Sequence, residues 1–81
     1  MRLRRRWYEV PAAQLVDGHK LPISTPRVEA RTLADAVEWT AEALTHGTPY
    51  ERQDEPEGVL IYNEAGQIEL YPSKARRYEE A

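Results

Sequence analysis

The chain reads as a small α+β domain, an antiparallel sheet of about four to five strands with one main helix at residues 33–46 packed on one face. Three observations predict this. An apolar stripe at helical spacing runs between a cap residue and a glycine stop. Short runs rich in Val, Ile, Leu and Tyr surround it, separated by Asp-Gly, Asn-Glu-Ala-Gly and proline. Eighty-one residues leave room for one core only, so 1–81 is read as a single domain with flexible ends at 1–4 and 74–81.

The helix carries the clearest local grammar. Thr32 offers a hydroxyl to an orphan amide, and Asp35 three residues on suits the positive end of the dipole. Leu33, Ala36, Val37, Thr40, Ala41 and Leu44 share one face. Gly47 provides a left-handed cap and Pro49 forbids continuation. Before the helix, Arg27 to Arg31 alternates as a short strand after Pro26.

At the N-terminus, residues 3–10 read as a strand in which Trp7, Tyr8 and Val10 favour pleated structure and Pro11 ends the ladder. Arginine on both faces places the start of pairing near Arg5 or Arg6. Residues 12–23 admit two readings: a hairpin turning at Asp17-Gly18, or a short helix opened by Pro11 and closed by Gly18. Glu51 to Gly58 reads as an acidic, proline-containing loop. Residues 59–62 and 67–71 then form a hairpin about Asn63–Gly66, with Leu60, Tyr62, Ile68 and Leu70 taken as its core side. Pro72 ends the last strand, and Ser73 is read as the cap of a frayed helix through Arg77 and Tyr78.

Charge is segregated along the chain. Residues 1–10 sum to +3 and residues 29–69 to −8, while 11–28 and 70–81 each sum to +1, giving the net −3. A uniformly basic nucleic-acid binder does not look like this. With no cysteine, neither a disulfide nor thiolate-bound zinc is available. No apolar run approaches the roughly 18–20 residues that span a bilayer, and no apolar segment follows the basic N-terminus as a signal peptide requires. The expected setting is therefore the cytoplasm, without membrane attachment.

No catalytic constellation is visible, so an enzyme is not expected. His19 and His46 lack a second ligand at metal spacing, and His46 suits a helix end, where an imidazolium stabilises the dipole. Ser24 and Ser73 sit beside prolines without nucleophile-elbow glycines. Four glycines form no phosphate loop. Neither a metal nor another cofactor is expected.

What remains is surface. Asp35, Glu38 and Glu42 lie on the helix face opposite the apolar stripe, ordinarily a solvated surface. Trp39 borders them, either as a rim residue or as an interface anchor. If the loop with Asp54, Glu55 and Glu57 folds beside the helix, seven carboxylates counting Glu51 line one side and attract a basic partner. A second candidate is Arg2, Arg4, Arg5 and Arg6 with Trp7 and Tyr8, where arginine meets phosphate and aromatics stack on bases. The same arginines also suit cross-strand pairing with Glu69 or Glu29.

Thr32-Leu33-Ala34-Asp35-Ala36 with Glu42-Ala43-Leu44 resembles the strand-to-helix junction of small bacterial and phage proteins, antitoxins of the HicB type among them. The likeness is confined to residues 32–44, so no family is assigned. The expected function is a small accessory or inhibitory protein that binds a basic protein surface through Asp35, Glu38, Trp39, Glu42, Asp54, Glu55 and Glu57. A phage anti-defence protein, such as an anti-CRISPR, or a nucleic-acid mimic illustrates the type. The alternative is a nucleic-acid-binding module using the arginine-rich N-terminus. Oligomeric state is not legible.

Overall fold

The computed structural model describes residues 4–78. Position 2 and the outer parts of both expected flexible ends, 1–3 and 79–81, lie outside the described residues. The fold is α+β, but the sheet is divided in two. Strands β1 (Arg6–Glu9), β4 (Arg27–Ala30) and β8 (Arg76–Tyr78) form a three-stranded antiparallel sheet in the order β4-β1-β8. Strands β2 (Ala12–Val16), β3 (His19–Ile23), β5 (Glu51–Asp54), β6 (Val59–Asn63) and β7 (Gly66–Leu70) form a five-stranded one in the order β3-β2-β7-β6-β5.

One long strand pair, bent in the middle, runs through both sheets. Pro11 ends the hydrogen-bonding ladder of β1 because it has no N–H to give, yet its carbonyl still accepts from the Tyr71 amide at 2.9 Å. Across the bend, Trp7 faces Tyr78 and Ala12 faces Leu70. Five residue steps on the first strand thus match eight on the second, and the extra three are a single 3-10 turn, Pro72–Lys74. That turn swings β8 into the smaller sheet. Of the frayed helix expected at 73–78, only the 3-10 turn forms, and Arg76–Tyr78 is a strand because β1 offers it a free edge to pair with.

Helix α1 (Leu33–Leu44) covers the bend. The Thr32 hydroxyl accepts from the Asp35 amide at 3.1 Å, as the cap chemistry requires. The helix ends two residues earlier than its sequence pattern implies. Thr45 turns its hydroxyl back to the Ala41 carbonyl at 2.9 Å, and His46 and Gly47 both take positive φ. Ala36, Val37, Thr40 and Ala41 are buried, and the core they join includes Tyr8 and Ala30 from the small sheet, Val10 at the bend, and Ala12, Val59, Ile61 and Leu70 from the large sheet. Buried Thr40 satisfies its hydroxyl on the Ala36 carbonyl at 2.7 Å. One core thus serves both sheets.

At 12–23 the hairpin reading holds. Val16 faces His19 across a two-residue turn in which Asp17 and Gly18 take φ of 48° and 79°, the left-handed pair that suits the strand twist. The β6–β7 register differs from expectation. The loop is Glu64-Ala65 alone, so Ile61 faces Ile68 and Val59 faces Leu70. The buried side of β6 is therefore Val59 and Ile61, while Leu60 and Tyr62 turn outward half-exposed. A one-residue change in pairing exchanges the two faces of a strand. Likewise, Glu51–Asp54 is not loop but the edge strand β5, exposed at every position and closed onto β6 by the turn Glu55–Gly58. A charged edge of this kind discourages pairing with other chains. No helix among the described residues is long and apolar enough to cross a membrane.

Candidate functional site

Helix α1 turns Asp35, Glu38, Trp39 and Glu42 to solvent, with Trp39 54% exposed. Among the described residues none of these three carboxylates has an ion-pair partner, and the helix contains no Lys or Arg. Asp35 to Glu38 and Glu38 to Glu42 are like-charge pairs at helical neighbour spacing, each costing about 0.2–0.5 kcal/mol. Glu42 also stands in the last turn, at the negative end of the dipole. Only Asp35 is placed where the fold gains from its charge.

The structure does not join the acidic turn to this face. Asp54, Glu55, Glu57 and Gly58 border a shallow hollow with Pro72 and Ser73, at the bend between the sheets. Among the described residues no ion pair or hydrogen bond links that turn to the helix, and Asp54 instead accepts from Arg52 Nε at 2.8 Å. The seven carboxylates therefore do not form one continuous surface: Asp54, Glu55 and Glu57 gather at the turn, and Glu51 stands at the other end of β5 beside Tyr62.

The arginine-rich N-terminus is likewise divided by strand alternation. Trp7 is 39% exposed, whereas Tyr8 is 6% exposed and packs in the core beneath the helix. Tyr8 cannot stack on a base, because alternate side chains of β1 point to opposite faces. Arg5 lies 3.2 Å from Glu29, one of the two cross-strand partners its position suggests, and Arg4 is exposed. Glu69 takes Lys20 instead.

A polar cluster that sequence patterning does not reveal lies on the outer side of the large sheet. Glu69 is 8% exposed, and its Oε1 is 2.9 Å from Lys20 Nζ. That oxygen is buried, and its approach to Lys20 is close but not well directed. The Lys20 ammonium and then the Tyr71 hydroxyl hold the Glu69 carboxyl below its usual range against the opposing effect of burial. Lys20 and Lys74 also stand 5.8 and 5.5 Å from the Tyr71 ring centre. A carboxyl more acidic in the folded state stabilises the fold at pH above its unfolded value, about 4.3. That contribution is lost as pH falls through the lower, folded value. Glu69→Gln should therefore be less stable than wild type at neutral pH and approach it below about pH 4, read from urea midpoints across pH. A constant difference across the range would remove Glu69 as the source.

A broad hollow opens beside the C-terminal end of the helix, between Pro49, Tyr50 and the Tyr62–Ala65 end of β6. In it the Glu51 carboxylate, hydrogen-bonded by the phenol, raises Tyr62 above the usual tyrosine range. Among the described residues no group of three or more His, Asp or Glu side chains is arranged to hold a metal ion. No protein-family model matches the chain, and no curated protein or solved structure is significantly similar to it.

Proposed function

We propose that the protein is a small non-enzymatic accessory or inhibitory module that binds a basic protein surface through the helix face of Asp35, Glu38, Trp39 and Glu42. The observation that carries this reading is Trp39, half-exposed beside three unpaired carboxylates on a helix whose charge pattern works against its own stability. Buried tryptophan anchors dominate binding energy at protein interfaces, and surrounding charges act on the rate of encounter. Asp54, Glu55 and Glu57, set apart at the bend, add to the long-range field rather than to the contact itself. A phage anti-defence role, as in an anti-CRISPR protein, fits this chemistry, with carboxylates standing where a cationic target expects phosphates.

The test begins with affinity capture from source cells and proceeds to surface-plasmon kinetics on the captured partner. Trp39→Ala should accelerate dissociation and cost at least about 2 kcal/mol. Glu42→Lys should slow association while raising helix stability by about 0.3–1 kcal/mol, because it removes a like-charge pair and places a cation at the C-terminal end. Weaker binding by a more stable protein cannot be a folding artefact. If both variants fold and bind as wild type does, the interface lies elsewhere.

A further inference from the structure

The β4–β1–β8 sheet has a second face, turned away from α1, whose composition depends on strand pairing. In register, Glu29, Trp7 and Tyr78 form one row across the three strands, and Arg27, Glu9 and Arg76 form the next. Arg5 continues the central strand above them, held to Glu29 at 3.2 Å. Trp7 lies on the central strand and is 39% exposed. The Arg27 guanidinium reaches across to stack on the Tyr78 ring, 3.9 Å from its centre. Among the described residues, neither Arg27 nor Arg76 has an acidic group within 4.0 Å.

The surrounding charge is as uneven as the face itself. Residues 4–10, 26–31 and 75–78 contain seven arginines against Glu9 and Glu29. The other described residues contain ten acids against Lys20, Arg52 and Lys74. The fold therefore collects cations from three separated segments onto and around one small sheet.

We propose that this outer sheet face binds single-stranded nucleic acid. Trp7 and the Arg27–Tyr78 stack supply flat surfaces for unpaired bases, and Arg27 and Arg76 meet the phosphates between them. Base stacking on aromatic side chains tolerates sequence and needs an exposed π-face, which a duplex keeps inside its own stack. Three strands about 4.8 Å apart, two of four residues and one of three, offer room for two or three nucleotides. Glu9, between the two arginines, limits affinity and provides an acceptor for exocyclic amino groups. An acidic protein segment would use the arginines but leave the aromatic surfaces without purpose.

The experiment uses the full chain with Trp39→Phe, so that Trp7 is the sole tryptophan, and a labelled oligothymidylate of about ten nucleotides. Saturable anisotropy should be accompanied by quenching of Trp7 emission. The log–log salt slope should be about −1.5 to −2, as for two or three phosphates. Arg27→Gln with Arg76→Gln should weaken binding at least about tenfold, and Trp7→Leu about five-fold or more. Circular dichroism should stay unchanged, since Arg27 and Arg76 are exposed and lie outside the core. Three results would overturn the proposal: no saturable binding, equal affinity for a duplex, or wild-type affinity in the double arginine variant. So would equal competition by an oligoglutamate peptide, which would mark the face as a site for acidic protein. The face lies across the sheet from α1, so its failure leaves the helix-face reading standing.

Discussion

Leu70→Ala is expected to lower stability by about 2–5 kcal/mol, the range for emptying a well-packed leucine site. Leu70 is fully buried at the end of β7, between Ala12 on β2 and Val59 on β6. Several of the core residues around it are alanines, Ala12, Ala36 and Ala41, which have no longer rotamer with which to fill the space. Relaxation is therefore limited, and the upper half of the range applies. A domain of this length has a total stability of about 4–12 kcal/mol, so the variant should be largely unfolded well below the wild-type melting temperature. Leu44→Ala should cost less, because Leu44 is only half-buried at the end of the helix. Thermal and urea melts of the pair test both statements. Equal losses would mean that the core is centred on the helix rather than on the bend between the sheets.

What was legible in the sequence was local chemistry. The Thr32 cap, the helical stripe, the Asp17-Gly18 turn and the Arg5–Glu29 alternative all follow from side chains acting within a few residues or at a single cross-strand step. What was not legible depends on partners distant in the chain. Glu-Arg-Gln-Asp has no apolar alternation, and it becomes β5 only because β6 presents an edge to it. The face of β6 is not decided within its own residues, because Asn-Glu-Ala-Gly permits more than one loop length, and the length alone decides which residues point inward. Nothing within residues 73–78 signals a strand, since its cause is the β1 edge.

The same division applies to the candidate sites. The border position of Trp39 follows from helical geometry, so the exposed acidic face of α1 could be read directly. Its union with Asp54, Glu55 and Glu57 needed a tertiary arrangement that the fold does not show. Conversely, Trp7 is visible as an aromatic beside arginines, but its cross-strand partners are Glu29 and Tyr78, with Arg27 and Arg76 in the next row of the same face. No sequence motif connects residues 7, 27 and 76–78; only the order β4-β1-β8 does.

Gly58→Ala is expected to destabilise the fold by about 1–3 kcal/mol or more, although Gly58 has no left-handed φ to lose. Its position is one of close approach. An added Cβ would lie 2.6 Å from the Leu70 carbonyl oxygen, 3.3 Å from Glu69 Cγ and 3.4 Å from Tyr71 Cδ1. The side-chain atoms can yield, but the carbonyl belongs to the β7 backbone, which is paired on one side with β2 and on the other with β6. Gly58 is itself tied to Glu55 through both its N–H and its carbonyl. Either the β5–β6 turn must open or the end of β7 must shift. The reduced freedom of the unfolded alanine chain returns only about 0.4–1 kcal/mol. Gly47→Ala makes the control, since its Cβ would meet nothing within 4 Å and only its φ of +75° resists, a strain of about 1–2 kcal/mol. If crowding is the cause, Gly58→Ala should also disturb the neighbouring Lys20–Glu69 pair and flatten the acid limb of the stability curve, while Gly47→Ala leaves that limb intact. Equal acid limbs in the two variants would show that the Leu70 carbonyl moves aside without disturbing the cluster around it.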